Sequence, residues 1–371
     1  MLRRAFLLIL MAVLVFEGIS YGRFITQASS TGFGVRSVEW VRANVSSWLV
    51  DEIERGWYSW NAPDQGGPAL TALPQAGAAA GTPLNGLDAA ETPPTVRPLI
   101  RPALAGEGVW RATGPAVSGA PPVLVTTFRS DPSYPRMVAG VAWIDQRRAN
   151  VTLFPGRYEP PGLGPRGPMQ VPVKSRDALL ATFNSGFRLE DGKGGFYARG
   201  HLWTPLIPKM ATIVGLSSGR VDIRTWAGGA RPGPDVVFAR QNLPLIVING
   251  HANPNLSDGP EWGATLGNAI RVWRSGLGVD RHGNLIYAAA DQQTVESLAR
   301  ILVHAGAVRA MELDINYEWV SFISYGSRGG NAASKLLSGI DHGGTRFLVP
   351  DDRDFFAVIA RTSASTPPGA G

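Results

Sequence analysis

The hydrophobic positions along the chain follow four successive patterns. A continuous apolar run, Ala5–Phe16, comes directly after two arginines. The segment Val35–Tyr58 repeats apolar residues at helical spacing and predicts an amphipathic helix rich in tryptophan and tyrosine. The segment Pro63–Pro102 consists mostly of Ala, Gly, Pro and Thr and contains few aromatic residues. From Val109 onward, short β-rich runs alternate with turns, which is typical of a strand-rich domain.

The strand-rich region predicts an α+β fold with a large, mixed, mostly antiparallel sheet and few helices. One predicted helix, Ser175–Thr182, is short. The other, Thr294–Ala305, has four apolar residues on one face and stops at Gly306, a common C-terminal stop. The predicted strands are Val123–Phe128, Met137–Ile144, Asn150–Phe154, Ala211–Leu216, Val221–Trp226, Leu245–Asn249, Ser275–Val279, Leu285–Ala290, Met311–Asp314 and Phe355–Ala360.

These patterns divide the chain into five segments. Residues 1–30 are predicted to be a signal peptide or membrane anchor, because positive residues precede an apolar run. Residues 31–62 form the amphipathic, aromatic-rich helix. Residues 63–104 are predicted to be a disordered linker, because their composition buries too little apolar surface to offset the entropy of ordering. Residues 105–362 form the folded domain, and residues 363–371 a disordered tail.

The N-terminal pattern predicts a location outside the cytoplasm. The apolar run is shorter than the ~20 residues that span a bilayer comfortably, yet no clear Ala-x-Ala cleavage site follows it, which favours an uncleaved anchor. The expected location is the cell membrane with an extracytoplasmic domain, or secretion if the segment is cleaved. The aromatic-rich helix lies either at the membrane interface or against the domain.

Composition excludes several classes of site and partner. A chain of 371 residues with 44% hydrophobic content can bury one large core or two modest ones. It has no cysteine, so thiol nucleophiles, thiolate zinc sites and disulfides are excluded. The net charge of +6 comes mainly from arginine, whose planar guanidinium suits phosphate and carboxylate; free use of arginine by a GC-rich genome explains the charge equally well. No basic helix or aromatic-basic motif accompanies it, so no nucleic-acid partner is expected.

Two stretches match catalytic motifs without their structural context. Gly162–Gly167 matches G-x-G-x-x-G, but prolines surround it and no strand–turn–helix unit is plausible there. Gly215–Gly219 matches G-x-S-x-G between two predicted strands, which favours a hairpin turn over a nucleophile elbow.

No metal site or cofactor is expected from the ligand spacing. The five histidines never fall at paired metal-ligand spacing, and the polar loop 253–261 lacks the remaining ligands of a calcium site. A metal-free mechanism is the simpler expectation, with a divalent cation near Asp291 and Asp314 as the alternative. His251, directly after the predicted strand end at Asn249, is the one histidine considered for a binding site.

A row of polar side chains marks the predicted strand that begins at Ala310. Alternate side chains point to opposite faces of a strand, so Glu312, Asp314 and Asn316 share one face. Glu318 extends this row if the strand continues. Glycosidic cleavage commonly uses two carboxyl groups that flank the bond. The row therefore indicates an acid and a base, with a solvent-facing strand edge lacking chemistry as the alternative.

Five segments in a set order resemble the phosphodiester glycosidase family. That family has an Asn-Gly-Gly-Phe-Phe-like turn, a Pro-Leu-hydrophobic-Asn-Gly strand end, Arg-Thr-Ala-Ile-Gly, and Leu-Asp-Gly-Gly-Gly-Ser. The resemblance extends over roughly Val109–Arg361. The segments here are Ala181–Phe187, Asn242–Gly250, Trp273–Asp280, Leu285–Asp291 and Val308–Asn316.

The resemblance implies cleavage of a glycosidic bond to a phosphodiester and assigns roles to matching residues. Asp314 matches the motif Asp and, with Glu318, is expected to act as acid or base. Asp291, which closes the strand before the long helix, is the third catalytic candidate. Arg274 matches the motif Arg and is expected to grip a phosphate oxygen. The residues expected to bind substrate are Asn184, Gly186, Asn249, His251, Arg274 and Asn316.

The chain departs from the family in its last motif. Ile315–Trp319 stands where the family has Gly-Gly-Gly-Ser, and glycines let a ligand approach the main chain closely. Either the phosphate pocket is filled and inactive, or Tyr317 and Trp319 rebuild it as walls that stack on a sugar. In the first motif, Ser185 replaces a glycine and Arg188 replaces the second aromatic.

Two functions follow as hypotheses, both with a carbohydrate partner. The first is an exported, membrane-tethered hydrolase that cleaves a glycosidic bond in a sugar phosphodiester or a cell-envelope glycan. The second is a non-catalytic envelope protein that binds polysaccharide through tryptophan stacking surfaces. The tryptophans expected to stack in that second case are Trp203, Trp262, Trp273 and Trp319.

Overall fold

The computed structural model describes residues 2–27, 29, 32–44, 65–66, 68, 70–74, 82–83, 92–263, 270–326 and 332–361. Within these ranges, three antiparallel sheets form the body of the protein and a short helical hairpin precedes them. The helices are α1 (Leu2–Thr26), α2 (Phe33–Asn44), α3 (Leu189–Gly192) and α4 (Val295–His304). Single 3₁₀ turns occupy Val173–Ala178, Pro260–Trp262 and Arg346–Leu348.

Every strand pairing between described residues is antiparallel, which confirms the predicted α+β class with a mostly antiparallel sheet. Each of the ten predicted strands overlaps an observed one. The strands are β1 (Thr82–Pro83), β2 (Arg111–Thr113), β3 (Val123–Arg129), β4 (Val138–Ile144), β5 (Ala149–Phe154), β6 (Leu179–Asn184), β7 (Phe196–Ala198), β8 (His201–Thr204), β9 (Ala211–Leu216), β10 (Val221–Thr225), β11 (Val236–Gln241), β12 (Val247–Ile248), β13 (His251–Ala252), β14 (Val272–Asp280), β15 (Leu285–Gln293), β16 (Ala307–Glu312), β17 (Phe322–Tyr325), β18 (Ala333–Lys335) and β19 (Phe355–Ala360).

The strands divide into one large and two smaller sheets. The nine-stranded sheet has the order β1-β2-β3-β4-β15-β14-β16-β12-β13, and the five-stranded sheets have the orders β10-β9-β11-β7-β8 and β18-β17-β6-β19-β5. Inward-facing residues of all three sheets, such as Leu277, Phe183 and Ile213, share one hydrophobic core. The opposite face of the large sheet packs against α4 in a second core. Separate sheets are thus joined by common burial of their apolar faces.

Helix α4 follows its sequence prediction closely. The Thr294 side chain accepts a hydrogen bond from the Ser297 backbone, and the Ser297 side chain accepts one from Thr294, which closes a capping box. The helix ends before Gly306, whose φ of +101° suits a residue without a side chain. Leu298 and Leu302 are fully buried against the large sheet.

The short predicted helix Ser175–Thr182 is wrong over its second half. Residues Val173–Ala178 form a 3₁₀ turn, and the chain then enters β6. β6 lies between β17 and β19, so all its residues are buried. A central strand of this kind carries a continuous apolar run, which periodicity alone does not separate from a buried helix.

Neither motif look-alike has the structural context of the catalytic motif that it matches. The Gly215–Gly219 stretch joins β9 and β10, whose register runs from Gly215 opposite Val221 to Ala211 opposite Thr225. The Gly162–Gly167 stretch contains neither helix nor strand. The Arg166 guanidinium holds this loop by donating to the backbone oxygens of Gly156 and Pro160, at 2.7 and 2.6 Å.

The packed body begins earlier than the sequence predicted. Part of the segment assigned to a disordered linker is structured: Thr82 and Pro83 pair with β2, and Val96 is buried beside Trp110. The Trp110 indole also donates to the Pro94 backbone oxygen at 2.8 Å. The predicted linker residues 84–91 and the tail residues 363–371 lie outside the described residues.

The N-terminal helices form a hairpin that rests on the body. The Arg36 guanidinium donates to the last carbonyls of α1, including Ile25 O at 2.8 Å. The Phe24 ring stacks on Tyr158 of the body, with ring centroids 5.7 Å apart. α2 covers the start of the predicted amphipathic helix, and residues 45–62 of that prediction lie outside the described part of the chain. Among the described helices, none is both long and apolar enough to cross a membrane, so the predicted transmembrane anchor is not found there.

Candidate functional site

Four consecutive charged residues, Asp351–Asp354, are all buried directly before β19. The Asp351 carboxylate accepts from Arg346 at 3.1 Å, and Asp352 accepts from Arg157 at 2.9 Å. Asp354 accepts from Arg240 at 2.9 Å. Arg353, the third residue of the run, donates to Asp314 at 2.7 Å. The run is therefore a hub of ion pairs, and we call Arg353 with Asp314 the central pair.

The topology explains why these side chains meet. The end of β6 and the start of β19 are adjacent, because Asn184 lies opposite Phe355 in the register. The chain leaving β16 joins the same edge, where the Asp314 amide donates to Ser185 O at 3.1 Å. The 184–187 turn, the 351–354 run and Asp314 therefore occupy one corner of the molecule.

The central pair is held by several further contacts. The Arg353 guanidinium lies over the Trp319 ring at 4.9 Å and donates to Gly186 O at 3.3 Å. The Asp314 Oδ1 atom accepts from the Asn316 amide at 3.0 Å. Burial raises the pKa of the Asp314 carboxyl, and Arg353 opposes that rise. The side chains of Arg353 and Asp314 keep 11% and 7% of their surface exposed, so the pair is largely but not completely shielded from solvent.

Glu159 contributes a second carboxyl to this corner. Its backbone amide donates to Asp352 O at 3.2 Å, and its Oε1 atom accepts from the Leu189 amide at 3.0 Å. Burial raises the Glu159 pKa to about 7, although the nearby Arg353 and Arg240 guanidinium groups act against the rise. A carboxyl group with a pKa near 7, in the same corner as an ion-paired aspartate, is a combination suited to acid–base chemistry.

A third ion pair fixes the floor of the corner. Arg240 and Asp354 are almost completely buried, and Arg240 also donates to the Phe187 backbone oxygen. The carbonyls of Ser185, Gly186 and Phe187 thus accept, respectively, from Asp314, Arg353 and Arg240. The turn has no freedom to rearrange without breaking charge-assisted hydrogen bonds.

Arg274, the predicted phosphate-gripping residue, is engaged elsewhere. Its Nη1 atom donates to Glu312 Oε1 at 2.6 Å, and its Nε atom donates to Gln293 O at 2.9 Å. Glu312 is fully buried, and burial raises its pKa to about 7 against the pull of Arg274. The residue after Arg274, Ser275, donates its amide to Asp314 O, but the Arg274 side chain bonds to the Glu312 carboxylate.

Asn184, predicted to bind substrate, is saturated by internal hydrogen bonds. Its Nδ2 atom donates to Ser185 O at 2.9 Å and Ser275 Oγ at 3.0 Å. Its Oδ1 atom accepts from the Tyr287 hydroxyl at 2.8 Å and the Ser321 amide at 3.0 Å. Asn184 thus ties the strands beneath the site together. Gly186 does reach the central pair, through its carbonyl.

The polar row predicted along 312–318 does not continue as a strand. β16 ends at Glu312, and the chain then turns: the Asn316 Oδ1 atom accepts from the Glu318 amide at 2.9 Å. Glu318 itself is buried and accepts from the Tyr317 hydroxyl at 3.0 Å. The turn keeps Asp314, Asn316 and Glu318 together, but by turn geometry instead of strand alternation.

Asn249 and His251 lie at the opposite end of β16 from Asp314. Asn249 and Gly250, with φ of +51° and +78°, form the two-residue turn between β12 and β13, the geometry typical of a type I′ hairpin. The Gly250 amide bonds Val308 at the start of β16, and the stretch from there to Asp314 spans about 20 Å. His251 lines a separate cavity of about 410 Å³ beside α4, which Asp131, Arg300, Ile301, His304 and Leu99 also line.

Asp291, the third predicted catalytic residue, lies near the end of β15, where the pairing of that strand with β14 is irregular. The register shifts between Val272 and Arg274, and Gln292 adopts a φ of +57°. Asp291 is an exposed residue whose carboxylate accepts from the Gln292 amide at 2.7 Å, although desolvation of the carboxyl group raises its pKa to about 6. Its described contacts are thus local to the end of β15. Within the described residues, no group of three His, Cys, Asp or Glu side chains is placed to hold a metal ion.

Sequence reasoning missed four site residues: Glu159, Arg240, Arg353 and Asp354. The run Asp351–Asp354 carried a usable signal. Four successive charged residues stand directly before an apolar strand, and charged side chains that are buried with such a strand need ion-pair or hydrogen-bond partners. Glu159 and Arg240 carried none, since their roles depend on which distant segments meet.

Residues 191–314 match the family model described as phosphodiester glycosidase. The match ends on Asp314 and confirms, for this segment, the family resemblance that the motifs indicated. Glu159 and Arg353 lie outside it. No curated protein matches the chain.

Two solved structures resemble the chain distantly. A hypothetical protein from Synechocystis is 14% identical with a TM-score of 0.40; the alignment covers 68% of this chain and 65% of that one, just under two thirds of its length. The catalytic domain of zebrafish N-acetylglucosamine-1-phosphodiester alpha-N-acetylglucosaminidase, auto-inhibited by its pro-peptide, is 17% identical with a TM-score of 0.40. That alignment covers 68% of this chain and 88% of the zebrafish domain.

Proposed function

We propose that the protein is a glycosidase-type hydrolase that cleaves the bond between the anomeric carbon of a sugar and a phosphodiester oxygen. The observation that carries the proposal is the central pair, in which the aspartate that ends the family-matched segment meets a partly exposed arginine. The coarser class, a glycosidase-type hydrolase, follows from the family match. The phosphodiester substrate and the site at Arg353 and Asp314 are the finer parts of the proposal.

The charges in the corner support an anionic substrate. The Arg353 side chain keeps 11% of its surface exposed, and guanidinium groups bind phosphate oxygens through paired hydrogen bonds. Arg240, which lies deeper at the same turn, is already paired with Asp354. In hydrolysis, the anomeric C–O bond breaks, the oxygen of water bonds to the anomeric carbon, and the phosphomonoester leaves. In this proposal, Asp314 accepts the proton of that water.

The polysaccharide-binding alternative receives less support from the tryptophans. Trp262 and Trp319 are buried, and Trp203 and Trp273 pack their partly buried rings against the shared core. Rings used in this way leave little face for stacking on a sugar. In the segment Ile315–Trp319, which departs from the family motif, Tyr317 keeps more than a third of its surface exposed and Trp319 is buried.

Export is a further part of the proposal. Its support is the sequence pattern alone, two arginines before the apolar run Ala5–Phe16. Fusion of residues 1–62 to a reporter active only outside the cytoplasm tests it: activity of the reporter in intact cells is expected, and a silent, fully cytoplasmic reporter would contradict export.

The reaction is tested by incubating the full chain with a sugar phosphodiester and measuring the free sugar released. The matched arm is a neutral methyl glycoside of the same sugar. Release from the phosphodiester at least about tenfold faster is expected, because one retained charge-assisted contact is worth about 1.5–3 kcal/mol. Equal rates would remove the phosphodiester assignment, and no release from either compound would remove the hydrolase assignment.

A further inference from the structure

The loop that carries Glu159 is held against the Asp351–Asp354 run by backbone hydrogen bonds. The loop 156–159 runs beside the charged run: the Arg157 amide donates to Asp351 O at 2.9 Å, and the Tyr158 amide donates to Asp352 O at 3.0 Å. Gly156 lies so close to Arg353 that an added Cβ would fall 2.4 Å from its carbonyl carbon. The segment that carries Glu159 and the segment that carries Arg353 therefore form one unit.

The two carboxylate oxygens of Glu159 have different surroundings. Oε1 accepts from the Leu189 amide at 3.0 Å, which orients the group. Among the described residues, the side-chain hydrogen bond of Glu159 is made by Oε1 and not by Oε2. A carboxyl with one oxygen anchored and the other available is the arrangement that a positioned proton donor requires.

The charges that face Glu159 come from several elements. They are Arg353 of the charged run, Arg240 of β11, Asp354 next to β19, and Arg166 of its own loop. The two guanidinium groups nearest to it are already neutralised by Asp314 and Asp354. Burial therefore outweighs their attraction, and a proton stays on Glu159 up to a pH of about 7.

We infer that Glu159 is the catalytic acid of the proposed reaction, which gives its proton to the departing oxygen while Asp314 acts on the attacking water. The inference rests on the proposed function. As the anomeric C–O bond breaks, the Glu159 proton moves to the leaving phosphate oxygen. The water oxygen bonds to the anomeric carbon, and the water proton moves to Asp314. Exchange with solvent then returns both carboxyls to their starting states.

The test compares two substrates that share a sugar and differ in their leaving group: the sugar phosphodiester and the glycosyl fluoride. Fluoride departs without a proton from the enzyme, so loss of an acid spares it. Glu159→Gln is expected to lower kcat/KM on the phosphodiester about 100-fold, the usual contribution of a positioned acid. On the fluoride, the same variant should stay within about threefold of the unmodified protein.

The pH profile is the readout that a purely structural role would not move. The unmodified protein should lose activity on the phosphodiester as pH rises through about 7, because Glu159 then loses its proton. Glu159→Gln should lack that limb. Glu190 is an exposed carboxylate of α3, and Glu190→Gln is the matched control. It should leave kcat/KM on both substrates and the pH profile unchanged.

Four outcomes overturn the inference. Equal loss on both substrates would make Glu159 a structural residue. No loss on either, or an unchanged alkaline limb in Glu159→Gln, would remove it from the reaction. If the unmodified protein hydrolyses neither compound, the proposed function itself fails and the acid assignment falls with it. If the glutamine variant does not fold, Glu159→Asp, which shortens the acid but keeps its charge, must show the same selective loss.

Discussion

Two buried arginine–carboxylate pairs flank the point where β16 ends, and they differ in what surrounds them. Arg274 and Glu312 lie on the side of the large sheet that faces α4, where Glu312 has no exposed surface. Arg353 and Asp314 lie at the corner formed by β6 and β19, rest on Trp319 and keep a small exposed area. We call the first the sealed pair.

The difference shows that the arginine in the motif position need not be the one that meets Asp314. Arg274 stands in the family's Arg position, yet it supports the backbone at Gln293 and Trp262 as well as Glu312. Arg353 stands outside every motif and is the arginine that meets Asp314. A buried ion pair is weak support for stability in itself but costly to break from one side. The two pairs should therefore answer mutation differently.

The largest effect should follow from breaking the sealed pair. Arg274→Met leaves Glu312 and two backbone oxygens without their donor, so the free energy of unfolding should fall by about 3–5 kcal/mol. Denaturant unfolding measures this. The double variant Arg274→Met with Glu312→Leu removes the orphaned charge and should recover part of the loss. If Arg274→Met is as stable as the parent protein, Glu312 does not depend on Arg274 as its buried partner and the prediction fails.

The sealed pair should make its own contribution to the pH dependence of the free energy of unfolding. Burial raises the Glu312 pKa from 4.5 to about 7, so the folded state keeps a proton that the unfolded state has released. Stability should thus be full below about pH 4.5 and fall as pH rises to about 7, by about 3 kcal/mol from this group. Glu159 adds a slope of the same sign. The comparison of Glu312→Gln with the parent isolates the Glu312 part, and identical slopes would contradict it.

A moderate effect should follow from loosening the central pair without touching a charge. Gly156→Ala puts a methyl group against the Arg353 backbone, and the loop that carries Glu159 must shift. Small displacements of catalytic groups cost up to about 100-fold in rate, so kcat/KM should fall by about tenfold or more. Gly229→Ala, which has open space around it, is the control. Unchanged kinetics in Gly156→Ala would separate the loop from the site.

The smallest effect is expected at the far end of β16. His251→Ala changes a residue about 20 Å along the sheet from Asp314, so kcat/KM should stay within about twofold. Steady-state kinetics on the sugar phosphodiester suffices. A tenfold loss would mean that the cavity beside α4 takes part in the reaction.

The sequence predicted the elements of the fold better than the site. Hydrophobic periodicity indicates which residues are buried, whereas a motif describes one short segment and not the distant segments that it contacts. The alternation through Leu313 was visible, and Met311 and Leu313 do share the common core. The turn after Glu312 was not visible, because it depends on the Asn316 side chain capping the Glu318 amide. Asp314 could be found from its motif.

The partners of Asp314 could not be found in the same way. Arg353 meets it only because β6 and β19 are neighbours, a pairing between segments about half the chain apart. Asn184 illustrates the converse: its motif position suggested a ligand contact, while four internal hydrogen bonds already occupy it. Motif identity locates the corner, and three-dimensional pairing decides which side chains in it are available.

The most direct test compares two carboxylates only two positions apart, one from each pair. Asp314→Asn and Glu312→Gln are each assayed for kcat/KM on a sugar phosphodiester, at a temperature where unfolding curves show both variants folded. We expect kcat/KM to fall at least about 100-fold for Asp314→Asn, in the range of positioned acid–base groups, and to change little for Glu312→Gln. Equal activity of the two variants, or loss confined to Glu312→Gln, would contradict it.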